Sequence, residues 1–570
     1  MGPFLLSALA IALAVGALAV RRGRTQTRAR LRAEWGQPVR RERRMDAMAA
    51  SHRSRLSAAA SGSLDARTWA DLDMDAVFAA LDRTASTLGQ HALYHRLRTA
   101  PVAPHLDAFD ALVDRLDADR GWRERAQIAL SRLRDPHGYD LWWLGRPDAI
   151  DTRPWFVLFP LLTATTLLLA ILAWVVPYTT PAFVGLFLIN VAVRYLTDRR
   201  LIALATAFRQ IAPLVTTAEA LRYLDGDDIR PLVGAIRADT PSLRRLKTIA
   251  RWIGGDPLML PMDAGPLVLL AHDALTVAYD YLNLAFLLDG TGVYLGARDL
   301  RRHHGGLLRV IAAVGEVDAA ISTASIRSGR EWTRPRFRQP GAGAELADIR
   351  HPLLPDAVPN SVRLAPGRGL LITGSNMSGK STFLRTVGTT AVLAQTLHTC
   401  LASAYDAPVF HVRSCIGRSD DLAGGKSYYL AEVDALLELV RASADTATHL
   451  FLLDELFRGT NAVERIAAGQ AVLLELVSDA RGPNAHVTIA ATHDGELVDL
   501  LPDRYAAVHF GDAIGPDGLT FDHRLQPGPA TTRNAIALLR SRGAPPDLVR
   551  RASACAAALD AQRGTTCDAR

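Results

Sequence analysis

Residues 371–382 read Leu-Ile-Thr-Gly-Ser-Asn-Met-Ser-Gly-Lys-Ser-Thr. An apolar run that predicts a buried strand leads into the motif G-x-x-x-x-G-K-S, and a pattern that predicts a helix follows. In such a loop the backbone amides and the N-terminus of the helix carry partial positive charge and surround phosphate groups. The stretch therefore predicts a phosphate-binding loop inside an α/β fold.

The polar groups of this loop have expected roles in binding ATP and Mg²⁺. Its glycines let the backbone approach the phosphates, Lys380 reaches the β- and γ-phosphate oxygens, and Ser381 binds magnesium. The chain has only three lysines among 65 basic residues, so a lysine at this place is itself informative. The predicted nucleotide-binding residues of the loop are Gly374, Ser375, Asn376, Met377, Ser378, Gly379, Lys380, Ser381 and Thr382.

A second motif supplies two carboxylates. Residues 449–455 read His-Leu-Phe-Leu-Leu-Asp-Glu, a buried-strand pattern that ends in acidic residues and is typical of a Walker B strand. We expect Asp454 to hold the magnesium shell together with Ser381, and Glu455 to polarise the water that attacks the γ-phosphate. The two motifs together predict an ATP hydrolase.

The segments around these motifs resemble the ATPase domain of the MutS family, the DNA mismatch-repair ATPases, which are relatives of ABC ATPases. The resemblance spans about residues 348–552 and implies an ABC-like P-loop α/β domain over residues 348–530. Besides the loop and the Walker B strand, the matching segments are Arg350 to Leu354, Val358 to Asn360, Ser419 to Glu432, Leu456 to Asn461 and Thr492 to Asp494.

The resemblance assigns two further roles and implies a dimer. Ser427 matches the signature segment that completes the ATP site of the opposite subunit, and His493 matches the histidine that senses the γ-phosphate. We therefore expect a homodimer formed through the ATPase domains. The chain departs from the family at Ser375, where proline is usual, and at Tyr428-Tyr429, where a Thr-Phe pair is common. Neither departure removes a group that the chemistry needs.

A second resemblance lies upstream of the ATPase region. Residues 73–98 resemble the first helices of the MutS core or lever domain, and residues 308–325 resemble its last helix. This implies an all-α core in two parts, residues 45–150 and 197–340. Between the parts the family pattern is lost, although in relatives this stretch holds lever helices and the clamp that closes over DNA. Ordinary amphipathic helices are the alternative interpretation of both matches.

The first 44 residues resemble a membrane anchor followed by a basic arm. Residues 3–20 form an uncharged apolar run of nearly the length that spans a bilayer. Residues 21–44 hold ten arginines and two glutamates, a charge of +8, whereas the whole chain has +7. The other residues therefore sum to −1, and they do not predict a broad nucleic-acid surface. We predict a transmembrane anchor over residues 1–20 and an arm over residues 21–44 that meets anionic lipid headgroups in the cytoplasm.

A second hydrophobic region predicts a transmembrane hairpin over residues 155–196. Two apolar runs flank the turn at residues 177–181, and both ends of the hairpin would face the cytoplasm. The second run is short and carries Asn190 and Arg194, so it spans only if the arginine reaches the interface. A buried soluble hairpin and a re-entrant pair remain alternatives. The predicted location is the inner or plasma membrane, with the ATPase domain in the cytoplasm.

The carboxyl-terminal residues 531–570 predict two helices that are broken near residues 543–546. In the MutS family a terminal helix-turn-helix of this kind helps to pair the ATPase domains. The four cysteines have no C-x-x-C spacing, so they indicate neither a zinc site nor a disulfide framework.

These patterns predict a membrane-anchored MutS-family ATPase in which ATP drives dimer closure coupled to a helical core. The family implies double-stranded DNA as a partner, with mismatch-repair-type binding. However, no Phe-x-Glu triplet occurs in the chain, so we expect no mismatch specificity. The alternative is a membrane-associated mechanochemical ATPase or scaffold that does not handle DNA. A transporter is disfavoured, because three hydrophobic segments make a thin pathway.

Overall fold

The computed structural model divides the chain into two compact units. Unit 1 comprises Met1–Ala60, Phe78–Leu97 and Pro101–Arg330, and unit 2 comprises Ser61–Val77, Arg98–Ala100 and Glu331–Arg570. The structure describes residues 21–23, 25–55, 63–99, 103–145, 154–196, 199–253, 266–375, 378–416, 428–444, 446–458, 460–477, 486–515, 518–530 and 535–567.

Helices and 3₁₀ turns make up the regular structure of unit 1. The α-helices that precede the first strand are α1 (Met45–Arg55), α2 (Ala66–Asp71), α3 (Met74–Leu81), α4 (Thr87–Arg98), α5 (Ala103–Ala118), α6 (Arg120–Leu130), α7 (Leu158–Val175), α8 (Thr180–Leu196), α9 (Arg199–Arg209), α10 (Ile211–Ala220), α11 (Arg230–Ala238), α12 (Arg244–Ile253), α13 (Pro266–Phe286) and α14 (Leu288–Gly329).

The 42-residue helix α14 anchors the start of α4 through one side chain. Its buried Asp318 accepts hydrogen bonds from the backbone N–H of Ala85 and Ser86, both at 2.7 Å, and from the Ser86 hydroxyl at 2.6 Å. A Cβ at Gly89 would lie only 2.2 Å from Oδ2 of Asp318, so the close approach requires glycine. Asp318 thus satisfies amide groups that the beginning of a helix leaves without partners.

Part of the arginine-rich arm packs on unit 1. Arg32 bonds to Glu124 at 2.7 Å, and Arg43 bonds to the buried carboxylate of Asp82 at 2.9 Å. Arg41 donates to a backbone carbonyl. Groups of the helical unit bind these three arginines, and contact of the arm with lipid headgroups remains a prediction.

Two helices of unit 1 are long and apolar enough to cross a membrane, by length and composition: Trp155–Val175 and Pro177–Leu196. They expose large apolar side chains, among them Trp174 with 91% and Leu196 with 85% of its surface exposed. Asn190 is buried instead and donates hydrogen bonds to Thr166 Oγ1 at 2.8 Å and to a backbone carbonyl at 2.7 Å. Within this chain the two helices are therefore largely exposed, and the transmembrane hairpin remains a prediction.

Unit 2 contains two β-sheets. A six-stranded sheet has the order β10-β9-β4-β8-β7-β6, and a four-stranded sheet has the order β1-β5-β2-β3. The strands are β1 (Arg336–Phe337), β2 (Ala344–Ile349), β3 (Asn360–Leu364), β4 (Gly369–Thr373), β5 (Ala404–Ala407), β6 (His411–Cys415), β7 (His449–Asp454), β8 (Val487–Ala491), β9 (Tyr505–Gly515) and β10 (Gly518–Pro527).

The six-stranded sheet is parallel except for its edge strand β10. Every residue of β4 and β8 is buried, which explains why these strands read as continuous apolar runs. The helices of this unit are α15 (Lys380–Leu397), α16 (Tyr428–Ala442), α17 (Ala462–Leu476), α18 (Glu496–Leu500), α19 (Ala535–Ser541) and α20 (Pro546–Cys567). The prediction of a mixed α/β region beside a large helical region is confirmed.

The predicted domain boundaries need two corrections. The last and longest segment of unit 2 begins at Glu331, before the predicted boundary at residue 348, because β1 and β2 already belong to its four-stranded sheet. Residues 61–77 also belong to unit 2, although the sequence assigned all of residues 45–150 to the helical core.

The segment around α2 joins unit 2 because its acidic side chains bond to strand β6. Asp71 accepts hydrogen bonds from the hydroxyl of Ser414 at 2.7 Å and from the backbone N–H of Ile416 at 2.9 Å. Arg413 pairs with Asp65 at 2.8 Å. Edge strands expose unpaired backbone groups, and α2 covers the end of this edge strand.

Candidate functional site

The candidate site lies where the parallel strands β4, β7 and β8 end. Strand β4 leads into the predicted phosphate-binding loop, β7 ends at Asp454, and Ala491 at the end of β8 is in register with Asp454. Because the carboxyl ends of parallel strands meet at one edge of the sheet, loops that are distant in sequence converge there.

The loop after β4 has the backbone that its glycines permit. Gly374 and Gly379 have φ angles of 141° and 115°, which side-chain-bearing residues rarely adopt. Lys380 begins α15, and its Nζ donates to the carbonyl oxygens of Gly374 and Ser375, both at 2.8 Å. The ammonium group therefore lies within the curve of the loop, at the N-terminus of the helix.

Ser381 and Asp454, the two predicted metal ligands, are in direct contact. The hydroxyl of Ser381 donates to Oδ2 of Asp454 at 2.5 Å. Oδ1 of Asp454 is buried and has no hydrogen-bond partner among the described residues, and burial raises the pKa of this carboxyl group. A hydroxyl and a buried carboxylate oxygen that needs a partner fit Mg²⁺, which prefers oxygen ligands.

Glu455 and His493 form the second predicted pair. Oε1 of Glu455 lies 2.8 Å from Nε2 of His493, and the same nitrogen lies 3.4 Å from Nζ of Lys380. The other carboxylate oxygen of Glu455 pairs with Arg458. Burial alone would raise the pKa of Glu455, but the hydrogen bond with His493 and the charge of Arg458 outweigh it and lower that pKa. Glu455 is therefore a carboxylate held in place from both sides.

A cavity of about 560 Å³ opens beside these groups, a size that suits a nucleotide-sized ligand. Five of the site residues predicted from the sequence line this cavity: Gly379, Lys380, Ser381, Thr382 and Glu455. The lining residues that matter for the site are Gly379, Lys380, Ser381, Thr382, Glu455, Arg458, Asn360, Phe510 and His523.

Arg458 and His523 are site residues that sequence reasoning missed. His523 comes from strand β10, and its Nδ1 lies 3.0 Å from the carbonyl oxygen of Ser378 in the loop. The amide of Asn360 donates to the carbonyl of His523 at 3.0 Å. Sequence distance hides the contact with the loop, because 145 positions separate the two residues. Arg458 lies only four positions after Asp454, and this short spacing could have indicated a contact with the carboxylates of Asp454 and Glu455.

The remaining predicted residues are placed as follows. Ser375 and Ser378 have buried hydroxyls without hydrogen-bond partners among the described residues, so both can still bond to a ligand. Asn376, Met377 and Ser427 lie outside the described residues. The structure thus brings Lys380, Ser381, Asp454, Glu455 and His493 together in one place.

Comparison with known proteins gives a family for this region. The family model "MutS domain V" matches residues 370–560. DNA mismatch repair protein MutS 2 of Halobacterium salinarum is 35% identical over 270 residues, which is 46% of this chain and 30% of that protein. DNA mismatch repair protein MutS of Thermus thermophilus is 34% identical over 278 residues, 48% of this chain and 33% of that protein. The protein of the same name from Thermus aquaticus is 34% identical over 284 residues.

The loop and the two carboxylates lie together in one mixed α/β unit. Residues 370–560 match domain V of the MutS family, and the similar curated proteins carry the name MutS. The matched region spans only about a third of the length of those relatives. The similarity therefore concerns residues 370–560 and the sequence next to them.

Proposed function

We propose that this protein binds MgATP and hydrolyses it, and that it works as a dimer. The observation that carries the proposal is the convergence of Lys380, Ser381, Asp454, Glu455 and His493 beside one cavity. This donor set matches what phosphoryl transfer to water needs: a cation for the phosphates, oxygen ligands for magnesium and a carboxylate for the water.

Each side chain then has one task. Lys380 would neutralise the β- and γ-phosphate oxygens of a bound nucleotide. Ser381 and Asp454 would hold magnesium, which would offset charge on the phosphates. Glu455 orients the attacking water and accepts its proton. His493 touches both Glu455 and Lys380, so it can sense whether the γ-phosphate is present.

The dimer is tested by mixing two inactive proteins. The family resemblance has Ser427 of one chain complete the ATP site of the other. Lys380→Ala and Ser427→Arg chains are each expected to be inactive, and a mixed dimer keeps one intact site. We expect mixing to restore part of the ATPase rate, with a maximum near equal amounts. Absence of recovery at every ratio would contradict the shared site.

We also propose that the protein is anchored in a membrane, with unit 2 in the cytoplasm. The support is the exposed apolar surface of α7 and α8, together with the uncharged run over residues 3–20. Reporter fusions after Arg44, between Thr179 and Thr180, and at the carboxyl terminus test the topology. We expect cytoplasm, exterior and cytoplasm, respectively. Extraction of the full chain by salt alone would contradict the anchor.

Two functions are candidates for the helical unit. One candidate function is mismatch-repair-type binding of double-stranded DNA by the tethered protein, as the names of its relatives suggest. The second is a membrane mechanochemical ATPase that does not handle DNA. The hairpin of α7 and α8 favours the second, because it stands between the two segments that resemble the MutS core. Copurification from crosslinked membranes, with and without nuclease, separates the candidates, since only the first predicts nuclease-sensitive partners.

A further inference from the structure

The turn that follows strand β7 has an unusual backbone. Glu455 and Phe457 both have positive φ angles, 54° and 56°, although neither is glycine and Phe457 is bulky. Left-handed conformations of such residues persist only where the surroundings hold them, and they concentrate at functional sites. This turn carries the carboxylate that the proposed hydrolysis uses, so the groups that hold the turn also place that carboxylate.

One polar side chain from another element holds the turn. Oε1 of Glu432, on α16, accepts a hydrogen bond from the backbone N–H of Phe457 at 2.5 Å. Oε2 of Glu432 is also buried and has no hydrogen-bond partner among the described residues. Desolvation raises the pKa of Glu432, whereas backbone N–H groups of Phe457 and Arg458 favour its ionised form. A carboxylate is thus kept in a desolvated place beside the backbone of this turn.

Apolar packing completes the support of the turn without fixing its polar groups. Leu456 and Phe457 are buried in a core cluster with Leu436 and Leu439 of α16. The backbone N–H of Glu455 bonds to the carbonyl of Ala491 at 2.9 Å. The hydrogen bond to Ala491 of β8 holds the start of the turn, and the hydrogen bond to Glu432 holds its middle.

We propose that Glu432 is a positioning residue that holds the turn after β7, and through it Glu455, in the geometry for water activation. This inference rests on the proposed ATP hydrolysis. Glu432 acts through the backbone N–H of Phe457. Its loss lets the turn relax toward ordinary φ angles, which moves the Glu455 carboxylate away from His493 and from the water. Displacement by about 1 Å is enough to slow catalysis by roughly 100-fold.

The test compares three variants in the full-length protein in detergent. Glu432→Ala removes the acceptor, and Glu432→Gln keeps an oxygen that accepts from the same N–H. Glu438→Ala is the matched control, because Glu438 lies on the same helix, is exposed and pairs only with Arg67 among the described residues. We expect Glu432→Ala to lower kcat by about 10- to 100-fold and to leave the Kd for ATP within about threefold. Glu432→Gln should recover most of kcat, and Glu438→Ala should match wild type.

Amide hydrogen exchange of the peptide spanning residues 454–460 tests the same geometry without relying on turnover. We expect faster exchange in Glu432→Ala than in the other two variants. Unchanged exchange, or equal loss of kcat in Glu432→Ala and Glu432→Gln, would overturn the positioning role. Equal losses in ATP binding and kcat would also overturn it. Failure of the wild-type protein to hydrolyse ATP would instead refute the proposed function, and the exchange result would still decide whether Glu432 holds the turn.

Discussion

The hydroxyl of Ser381 donates a 2.5 Å hydrogen bond to Oδ2 of Asp454, although 73 positions separate the two residues. The bond joins the loop after β4 to the end of β7 and brings a hydroxyl and a carboxylate to one point. These two side chains would hold a magnesium ion, whose preferred ligands are oxygens. The fold therefore brings the two predicted metal ligands into contact.

Single substitutions at Lys380 and at Glu455 should distinguish nucleotide binding from hydrolysis. Lys380→Ala removes the charge that meets the phosphates, so we expect ATP binding to be lost. Glu455→Gln keeps the shape of the side chain but removes the base, so binding persists while turnover falls by about 100-fold or more. Equilibrium binding of a fluorescent ATP analogue and release of phosphate measure the two effects. Equal loss of binding in both variants would contradict the assigned roles.

Gly89→Ala should destabilise the helical unit strongly. The added Cβ would lie 2.2 Å from Oδ2 of Asp318 and would displace the carboxylate that bonds to the amides before α4. We expect a loss of about 1–3 kcal/mol in the free energy of unfolding, measured by denaturant titration followed by circular dichroism. Gly305→Ala on α14 is the control, since its Cβ would meet only Arg309 at 3.6 Å. Similar stability of the two variants would show that Asp318 does not fix this approach.

The helical unit should lose stability as the pH falls, and His91 should account for part of the loss. Burial, followed by the charge of Arg55, lowers the pKa of His91 from 6.5 to about 3. Between these values the unfolded chain takes up a proton that the folded chain does not, so the free energy of unfolding decreases with falling pH. From pH 7 to pH 5 this amounts to about 2 kcal/mol.

His91→Leu should reduce that loss by about the same 2 kcal/mol. Asp318, whose pKa burial raises to about 6, acts in the opposite direction, but its effect is common to both proteins and cancels in the comparison. Denaturant titrations at the two pH values measure the difference. His304→Leu on the surface of α14 is the control. An identical pH dependence of wild type and His91→Leu would contradict the prediction.

Binding to DNA should be weak, dependent on salt and without preference for mismatched over perfect duplexes. The chain lacks the Phe-x-Glu triplet, and contacts from arginine to phosphate carry no base information. We expect mismatched and perfect duplexes to bind the detergent-solubilised protein within about threefold of each other, below about 1 kcal/mol. Replacing the exposed Arg21, Arg22, Arg28 and Arg40 by glutamine should remove most of that binding.

This set of exchanges is milder than deletion of residues 1–44, because Arg32 and Arg43 bond to the helical unit. Filter binding over a salt series measures the affinities. A mismatch preference of tenfold or more at physiological salt that survives the four exchanges would reveal a DNA-reading site elsewhere in the chain.

The parts of the site that the sequence predicted are those encoded by contiguous residues. The loop over residues 371–382 and the strand over residues 449–455 each carry their chemistry within one short segment, so spacing alone indicates the chemical type of each residue. His523 escaped this reasoning, because only the strand order of the sheet brings it near the loop. Glu432 ends the segment over residues 419–432 that resembles the family, but its contact with the turn depends on the packing of α16. Pairing across the fold leaves no local signal.

The limits of the predicted core have a similar origin. Residues 73–98 resemble a helical domain, and most of them lie in one, but the neighbouring Asp65 and Asp71 bond to strand β6. An acidic residue on a short helix is typical of a solvated surface, so its burial against a distant strand could not be predicted. The pairs of Arg32 with Glu124 and of Arg43 with Asp82 were missed for the same reason, because these partners meet only in the folded chain.

The bond between Asp65 and Arg413 spans 348 positions, so it can form only after most of the chain has been synthesised. At 5–20 residues per second, the ribosome makes the first partner roughly 17–70 s before the second. Throughout that interval α2 has no strand to cover, and nearly all of unit 1 emerges before the six-stranded sheet can be completed. Unit 2 therefore finishes folding last, around a piece of chain made near the beginning, and a fragment that starts at Glu331 would leave the end of β6 bare.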